Sequence, residues 1–215
     1  MSKRKYSELS EFSEYDMINT NKPDYEITLF DRLNPMIYSI NNEFHFKSDV
    51  NKLNIELLIR QMSEYITKYY SKHESKKELI IKYVVDTPGG ELNQAFKFID
   101  FVDLIRKKYK SVKFYSIITG MVASAGTLMC VIADKRMMTK YSSAMIHELT
   151  TGCYGKYTHL NSYNVHMNDL HEKLVDVYQT KNGKISKEYL ESLLKDESWF
   201  NAKQYLEICF IDEVC

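Results

Sequence analysis

The sequence predicts an α/β fold built around a parallel sheet. Two apolar, β-branched runs, Leu79–Val85 and Val112–Thr119, have the length and composition of buried strands. Between them Leu92, Phe96, Ile99 and Val102 recur at helical spacing up to about Lys110, which makes a strand, helix, strand unit with a right-handed crossover expected. Six of the seven glycines (Gly89, Gly90, Gly120, Gly126, Gly152 and Gly155) fall in three short clusters after strand-like runs, where turns require positive φ or close backbone approach.

Taken in order, Met36–Ile40 reads as a first strand, and Ser48 is placed to cap a helix whose apolar positions Leu53, Leu57 and Leu58 continue to about Tyr70. A charged loop from Lys72 to Glu78 leads into the Leu79–Val85 strand, which ends at Thr87-Pro88-Gly89-Gly90. After the Val112–Thr119 strand, Gly120–Ala123 reads as a turn into an apolar helix, Ser124–Ile132. Arg136–Thr139 and Ala144–Ile146 read as short strands, followed by a loop from Glu148 to Lys156. A long polar helix, about 158–179, carries Leu160, Val165, Leu170, Leu174 and Val177 as its apolar members. Ser186 caps a further helix to Lys195, and Asn201 with Gln204 has the spacing of a capping box for the last one.

At 215 residues the chain fits one domain, expected over 26–215, behind a polar and mobile N-terminal segment, 1–25. Lys plus Arg and Asp plus Glu both total 29, so no net basic field exists to draw the chain to nucleic acid or an anionic membrane. The four cysteines show no C-x-x-C spacing, which suits reduced thiols better than a disulfide framework or a zinc site. The first 22 residues hold no apolar h-region, and no apolar run approaches the roughly 18 residues of a membrane span. A cytoplasmic location is the expectation.

Serine attack on a carbonyl needs a base for the hydroxyl proton, a group to hold that base, and amide donors for the oxyanion. Ser124 lies among small residues, Gly120-Met121-Val122-Ala123-Ser124-Ala125-Gly126, at a predicted helix start where unpaired amides favour negative charge. The amides of Ala125 and Gly90 are candidate oxyanion donors. His147 closes the Ala144–Ile146 strand and is the candidate base, whereas His45, His73, His159, His166 and His171 lie on polar stretches and read as solvated. By composition alone Ser124 also reads as an ordinary N-cap, and His147 as a hydrogen-bonded residue at the core edge.

Asp86-Thr87-Pro88-Gly89-Gly90, the Gly120–Gly126 run, Met145-Ile146-His147, and Trp199-Phe200-Asn201-Ala202 through Phe210-Ile211-Asp212-Glu213-Val214 together resemble the proteolytic subunit of the Clp protease family, in that family's order and from about residue 28 onward. The resemblance implies a crotonase-like spiral of ββα units, with the helix at about 158–179 projecting as a handle to which Tyr163 and Met167 add apolar faces. It implies a serine endopeptidase with Ser124 as nucleophile and His147 as base. Its catalytic aspartate falls on Glu197, with Asp196 beside it as rival. An extended peptide would pair with the segments around Gly89, Gly90 and Glu91 and around Leu149. Stacked homo-oligomeric rings follow from the same resemblance, as does a separate Clp-type ATPase, because no phosphate-binding P-loop occurs in this chain. No metal or other cofactor is required.

Three positions depart from the family pattern. Ala125 stands where methionine is usual, Glu148-Leu149 replaces a residue-proline pair, and Cys209 occupies a usual glycine. Two alternatives stand beside the peptidase: a subunit of the same shape that has lost turnover, and a crotonase-type enzyme that applies such oxyanion amides to an acyl-CoA thioester.

Overall fold

The structure, a computed structural model, describes residues 36–74, 76–181 and 185–215. The polar segment expected at 1–25 lies outside these. Eight strands and six helices follow in the order β1 (Ile37–Ile40), β2 (Glu43–Phe46), α1 (Lys52–Lys72), β3 (Leu79–Thr87), α2 (Leu92–Lys108), β4 (Val112–Ala123), α3 (Ala125–Val131), β5 (Lys135–Met138), β6 (Ser143–Ile146), α4 (Tyr157–Lys181), α5 (Lys187–Lys195), β7 (Ser198–Asn201), α6 (Ala202–Glu207) and β8 (Glu213–Val214). The chain is therefore mixed α/β, with its strands in a single sheet among the described residues, ordered β1-β2-β3-β4-β5-β8 while β6 and β7 branch from β4.

β3 and β4 pair in parallel at the centre, and their alternating apolar residues Ile81, Tyr83, Val85, Phe114 and Ile118 are fully buried. Helices α1 and α2 cover this sheet with stripes at helical spacing, Ile55, Leu58, Met62 and Ile66 from one and Ala95, Phe98 and Val102 from the other. Two of these elements differ from expectation at their edges. The cap of α1 is Asn51, whose side chain accepts the Asn54 N–H at 3.0 Å, while Ser48 Oγ accepts from the Asn54 side chain instead. The helix starts later than Ser48 because Val50 is first used as an extended bridge to Gly90. The strand Glu43–Phe46 was not legible in the sequence; it folds back on β1 through Asn41, whose φ of 55° suits asparagine's tolerance of the left-handed region.

The larger difference is at Gly120–Ala123, which is strand rather than turn. Val85 pairs with Ile118 and Thr87 with Val122, so β4 carries a bulge against β3. Gly120 takes φ 64° inside it, and the Asp86 carboxylate accepts the Met121 N–H at 3.1 Å. A side chain on Gly120 would come within 2.8 Å of that carboxylate, so the bulge requires glycine. The bend lets one strand serve two partners: Tyr115–Ile118 pairs with β5, and Met121–Ala123 pairs with β6. It also carries the end of β4 to the end of β6.

The remaining helices fall where their caps predict. Ser186 accepts the Tyr189 N–H at the start of α5, and Asn201 and Gln204 form the reciprocal capping box of α6. Ahead of α6, Ser198–Asn201 is a strand that the sequence reading did not register; it pairs antiparallel with β6. The polar helix α4 buries Leu170, Leu174, Val175 and Tyr178, whereas Tyr157, Leu160 and Val165 in its first half are exposed. His45 is not solvated as expected. It lies on β2, stacked on Tyr38 at 4.4 Å, and burial lowers its pKa against the opposing pull of the Glu43 carboxylate.

Candidate active site

The end of β4 delivers Ser124, and the sheet holds it there: its N–H donates to Met145 O at 2.9 Å, tying the turn to β6. Ser124 takes φ 54° and ψ −129°, a region that costs a residue with a side chain about 1–3 kcal/mol and persists only where its surroundings impose it. It occupies the N-cap position of α3, yet its side chain makes no capping hydrogen bond. Its Oγ stands 2.7 Å from His147 Nε2 instead. The N-cap reading of Ser124 is thereby corrected, because a capping hydroxyl would point at the α3 amides.

His147 follows directly on β6 and is half-buried. Side chains alternate along a strand, so Ser143, Met145 and His147 share one face of the β6–β7 ribbon. The antiparallel register pairs Ile146 with Ser198. Past that pair both strands end: His147 and Glu197 each adjoin it, and Asp196 lies one residue further away. Glu197 takes φ 50°, ends that strand pairing and is exposed, as is Asp196. Among the described residues, neither carboxylate is hydrogen-bonded or ion-paired to His147. The Glu148 N–H donates to Leu194 O at 2.9 Å, which keeps the loop bearing both carboxylates beside the histidine segment.

Beyond β3, Gly89 packs against the serine turn and Gly90 against Val50. A side chain on Gly89 would meet Ser124 Cβ at 2.7 Å and Ala125 N at 3.2 Å, so only a bare backbone fits. Val50 bonds Gly89 O and Glu91 N at 2.8 and 2.7 Å. Gly90, between them, therefore turns its own N–H to the other edge. Neither the Gly90 nor the Ala125 amide has an acceptor among the described residues. Leu149 packs partly buried against the core, and Glu91 is exposed at the start of α2.

The structure brings Ser124 Oγ to His147 Nε2 and packs Gly89 against Ser124 and Ala125, while Gly90 lies against Val50. Sequence reasoning missed Asp86, whose carboxylate accepts the Met121 N–H in the β4 bulge, and Thr127, which bonds Ser124 O. Asp86 carried a usable signal, a lone carboxylate ending an apolar strand just before a Pro-Gly-Gly turn. Among the described residues no group of acidic, histidine or cysteine side chains is arranged to hold a metal ion, and no helix is long and apolar enough to cross a membrane.

A hydroxyl in contact with an imidazole, on a strained strand-to-helix turn whose Ala125 amide is unpaired, has parts that nucleophilic attack on a carbonyl uses. Comparison with known proteins agrees with that class. The family model described as Clp protease matches residues 47–215; the chain belongs to the Clp protease family. It is 25% identical over 138 residues to the ATP-dependent Clp protease proteolytic subunit 1 of Chlamydia trachomatis (serovar D), covering 62% of this chain and 69% of that one. The protein of the same name from Protochlamydia amoebophila is 27% identical over 138 residues, 62% of this chain and 64% of that one. The ATP-dependent Clp protease proteolytic subunit of Streptococcus pneumoniae is 25% identical over 150 residues, 68% and 72% of the two chains.

Proposed function

We propose that this chain is a serine endopeptidase that cleaves extended peptides, with Ser124 as nucleophile, His147 as general base and Glu197 as the group that orients the histidine. The observation that carries the reading is the 2.7 Å contact between Ser124 Oγ and His147 Nε2, made by a serine whose backbone is strained and whose side chain caps nothing.

In this reading an incoming peptide adds as a strand along the free edge of Gly89–Glu91 and along the segment from His147 to Leu149. His147 Nε2 takes the Ser124 proton as Oγ attacks the carbonyl carbon, and the negative oxygen is received by the Gly90 and Ala125 amides. The same imidazole then gives that proton to the departing amine, and a water repeats the sequence to release the acyl group. Glu197 accepts a hydrogen bond from the imidazole Nδ1–H and keeps Nε2 free to act as base.

The assembly belongs to the same reading. The described residues form a crotonase-like spiral, and α4 is its handle. Exposed Tyr157, Leu160 and Val165 on the half of α4 that leaves the core support a contact between copies. Stacked rings with the serines inside would confine cleavage to threaded chains, fed by a separate Clp-type ATPase in the cytoplasm.

Fluorophosphonate labelling and hydrolysis of a short fluorogenic peptide test the site directly. Wild-type protein should be labelled and active, Ser124→Ala and His147→Ala inert. A folded wild-type protein that is neither labelled nor active favours the second reading, a ring subunit without turnover, which the lack of a hydrogen bond from His147 to either carboxylate supports.

A further inference from the structure

Behind Ser124 lies a buried chain of hydrogen bonds that the reaction above does not use. Thr127 Oγ1 donates to Ser124 O at 2.6 Å, and the Thr127 N–H donates to the same oxygen at 3.0 Å. The Thr127 hydroxyl has one proton, given to Ser124 O, so the contact at 2.5 Å between Thr127 Oγ1 and Tyr178 Oη has the tyrosine as donor. Burial raises the Tyr178 pKa, which keeps that proton on the phenol at neutral pH. Thr127 is 0% and Tyr178 2% exposed, so water does not compete for these bonds. Tyr178 comes from α4, 51 residues further along the chain.

Ser124 O and the Ala125 N–H belong to one peptide group. That group is planar and trans, so its C=O and N–H point in opposite directions and turn together. Whatever holds Ser124 O therefore aims the Ala125 N–H. The residue before this peptide is in a strained conformation that would relax by rotation if released. A threonine hydroxyl bonded to a carbonyl three residues back is common in helices. A second, buried donor from another helix, behind a peptide whose amide is unpaired at the site, is not explained by helix packing alone.

We propose that Thr127 and Tyr178 are positioning residues that clamp the Ser124–Ala125 peptide, fixing the Ala125 N–H toward the oxyanion and coupling that donor to the seating of α4. The proposal rests on the serine-peptidase reading. Neither residue touches substrate. Each bond in the chain also polarises the next, so the peptide N–H becomes a better donor when Ser124 O is fully bonded.

The test compares full-length wild type with Thr127→Val, Thr127→Ser and Tyr178→Phe. The readouts are kcat and KM on a fluorogenic peptide, inhibition by a peptide boronate that forms a tetrahedral adduct on serine, and Tm. Losing an oxyanion donor costs about a hundred- to a thousandfold in turnover, so misaiming one should cost about tenfold. Thr127→Val should lower kcat by about that factor with KM little changed, and weaken the boronate in parallel. Thr127→Ser should restore most of the rate. Tyr178→Phe, which removes a single oxygen, should fall between wild type and Thr127→Val. The clamp is refuted if Thr127→Val and Tyr178→Phe turn over like an active wild type, or if Thr127→Ser is as impaired as Thr127→Val and the losses merely follow Tm. An inert wild type would instead bring down the peptidase reading itself.

Discussion

A methyl group on Gly126 would lie 2.3 Å from Cγ2 of Thr87, so the helix that begins at the candidate nucleophile packs bare backbone against the end of β3. Thr87 is pinned in turn, its hydroxyl donating to Ser48 O at 2.6 Å and accepting the Gly89 N–H at 3.1 Å. Gly126→Ala should therefore destabilise the protein by about 1–3 kcal/mol through overpacking. Thr87→Ser deletes the clashing methyl and keeps both hydrogen bonds. In a double-mutant cycle read by urea denaturation, the pair should recover part of the loss; strict additivity would show that the contact is relieved some other way.

Glu197 adjoins the last β6–β7 pair, and Asp196 lies one residue beyond it. Glu197→Gln should lower kcat by roughly tenfold or more with little change in KM, and Asp196→Asn should leave it near wild type. The effect should be smaller than for a buried triad aspartate, because an exposed carboxylate is screened by water and salt. Equal rates for wild type and Glu197→Gln would remove Glu197 from the mechanism.

Cys209 stands just past α6 with φ 60°, and the Phe210 N–H reaches back to Tyr205 O at 3.1 Å in the manner of a helix-ending glycine motif. The family's usual glycine at this place has its physical reason here. Cys209→Gly should raise stability by about 0.5 kcal/mol, the relief of left-handed strain less the added freedom of the unfolded chain. Cys209→Ala keeps the strain and should not stabilise; thermal melts of both variants distinguish backbone relief from loss of the thiol.

Asp212 anchors the C-terminal strand through Arg136, accepting from its backbone N–H at 2.8 Å and from Nη2 at 2.5 Å. Burial raises the carboxyl's pKa, but the hydrogen bonds and charge of Arg136 outweigh it and hold the pKa below the ordinary value. The folded state thus binds the proton less readily than the unfolded state. The resulting stability is present above the unfolded pKa of about 3.9 and is lost as pH falls through the lower folded value. Asp212→Asn should cost about 1 kcal/mol or less at pH 7, since the pair is partly exposed. The Tm gap between wild type and variant should close as pH drops below about 4; a gap independent of pH would assign the effect to packing.

Local pattern determined much of this protein. The apolar runs of β3 and β4, the stripe of α2, the Ser186 cap and the Asn201–Gln204 box are each contained in a few neighbouring residues, and each formed where read. Small residues around Ser124 and an apolar strand before His147 likewise marked the two side chains that meet at the candidate site. Tertiary structure decided the rest, because it depends on which hydrogen-bonding groups find partners far along the chain. Val50 had to stay extended to reach Gly90, so α1 begins at Lys52. Gly120 reads locally as a turn, but Asp86 and the two partners of β4 make it a bulge within a strand. The same accounting leaves the Gly90 and Ala125 amides unpaired and brings Tyr178 behind the serine. No periodicity in the sequence encodes these outcomes, since each is settled by contacts between segments that only folding brings together.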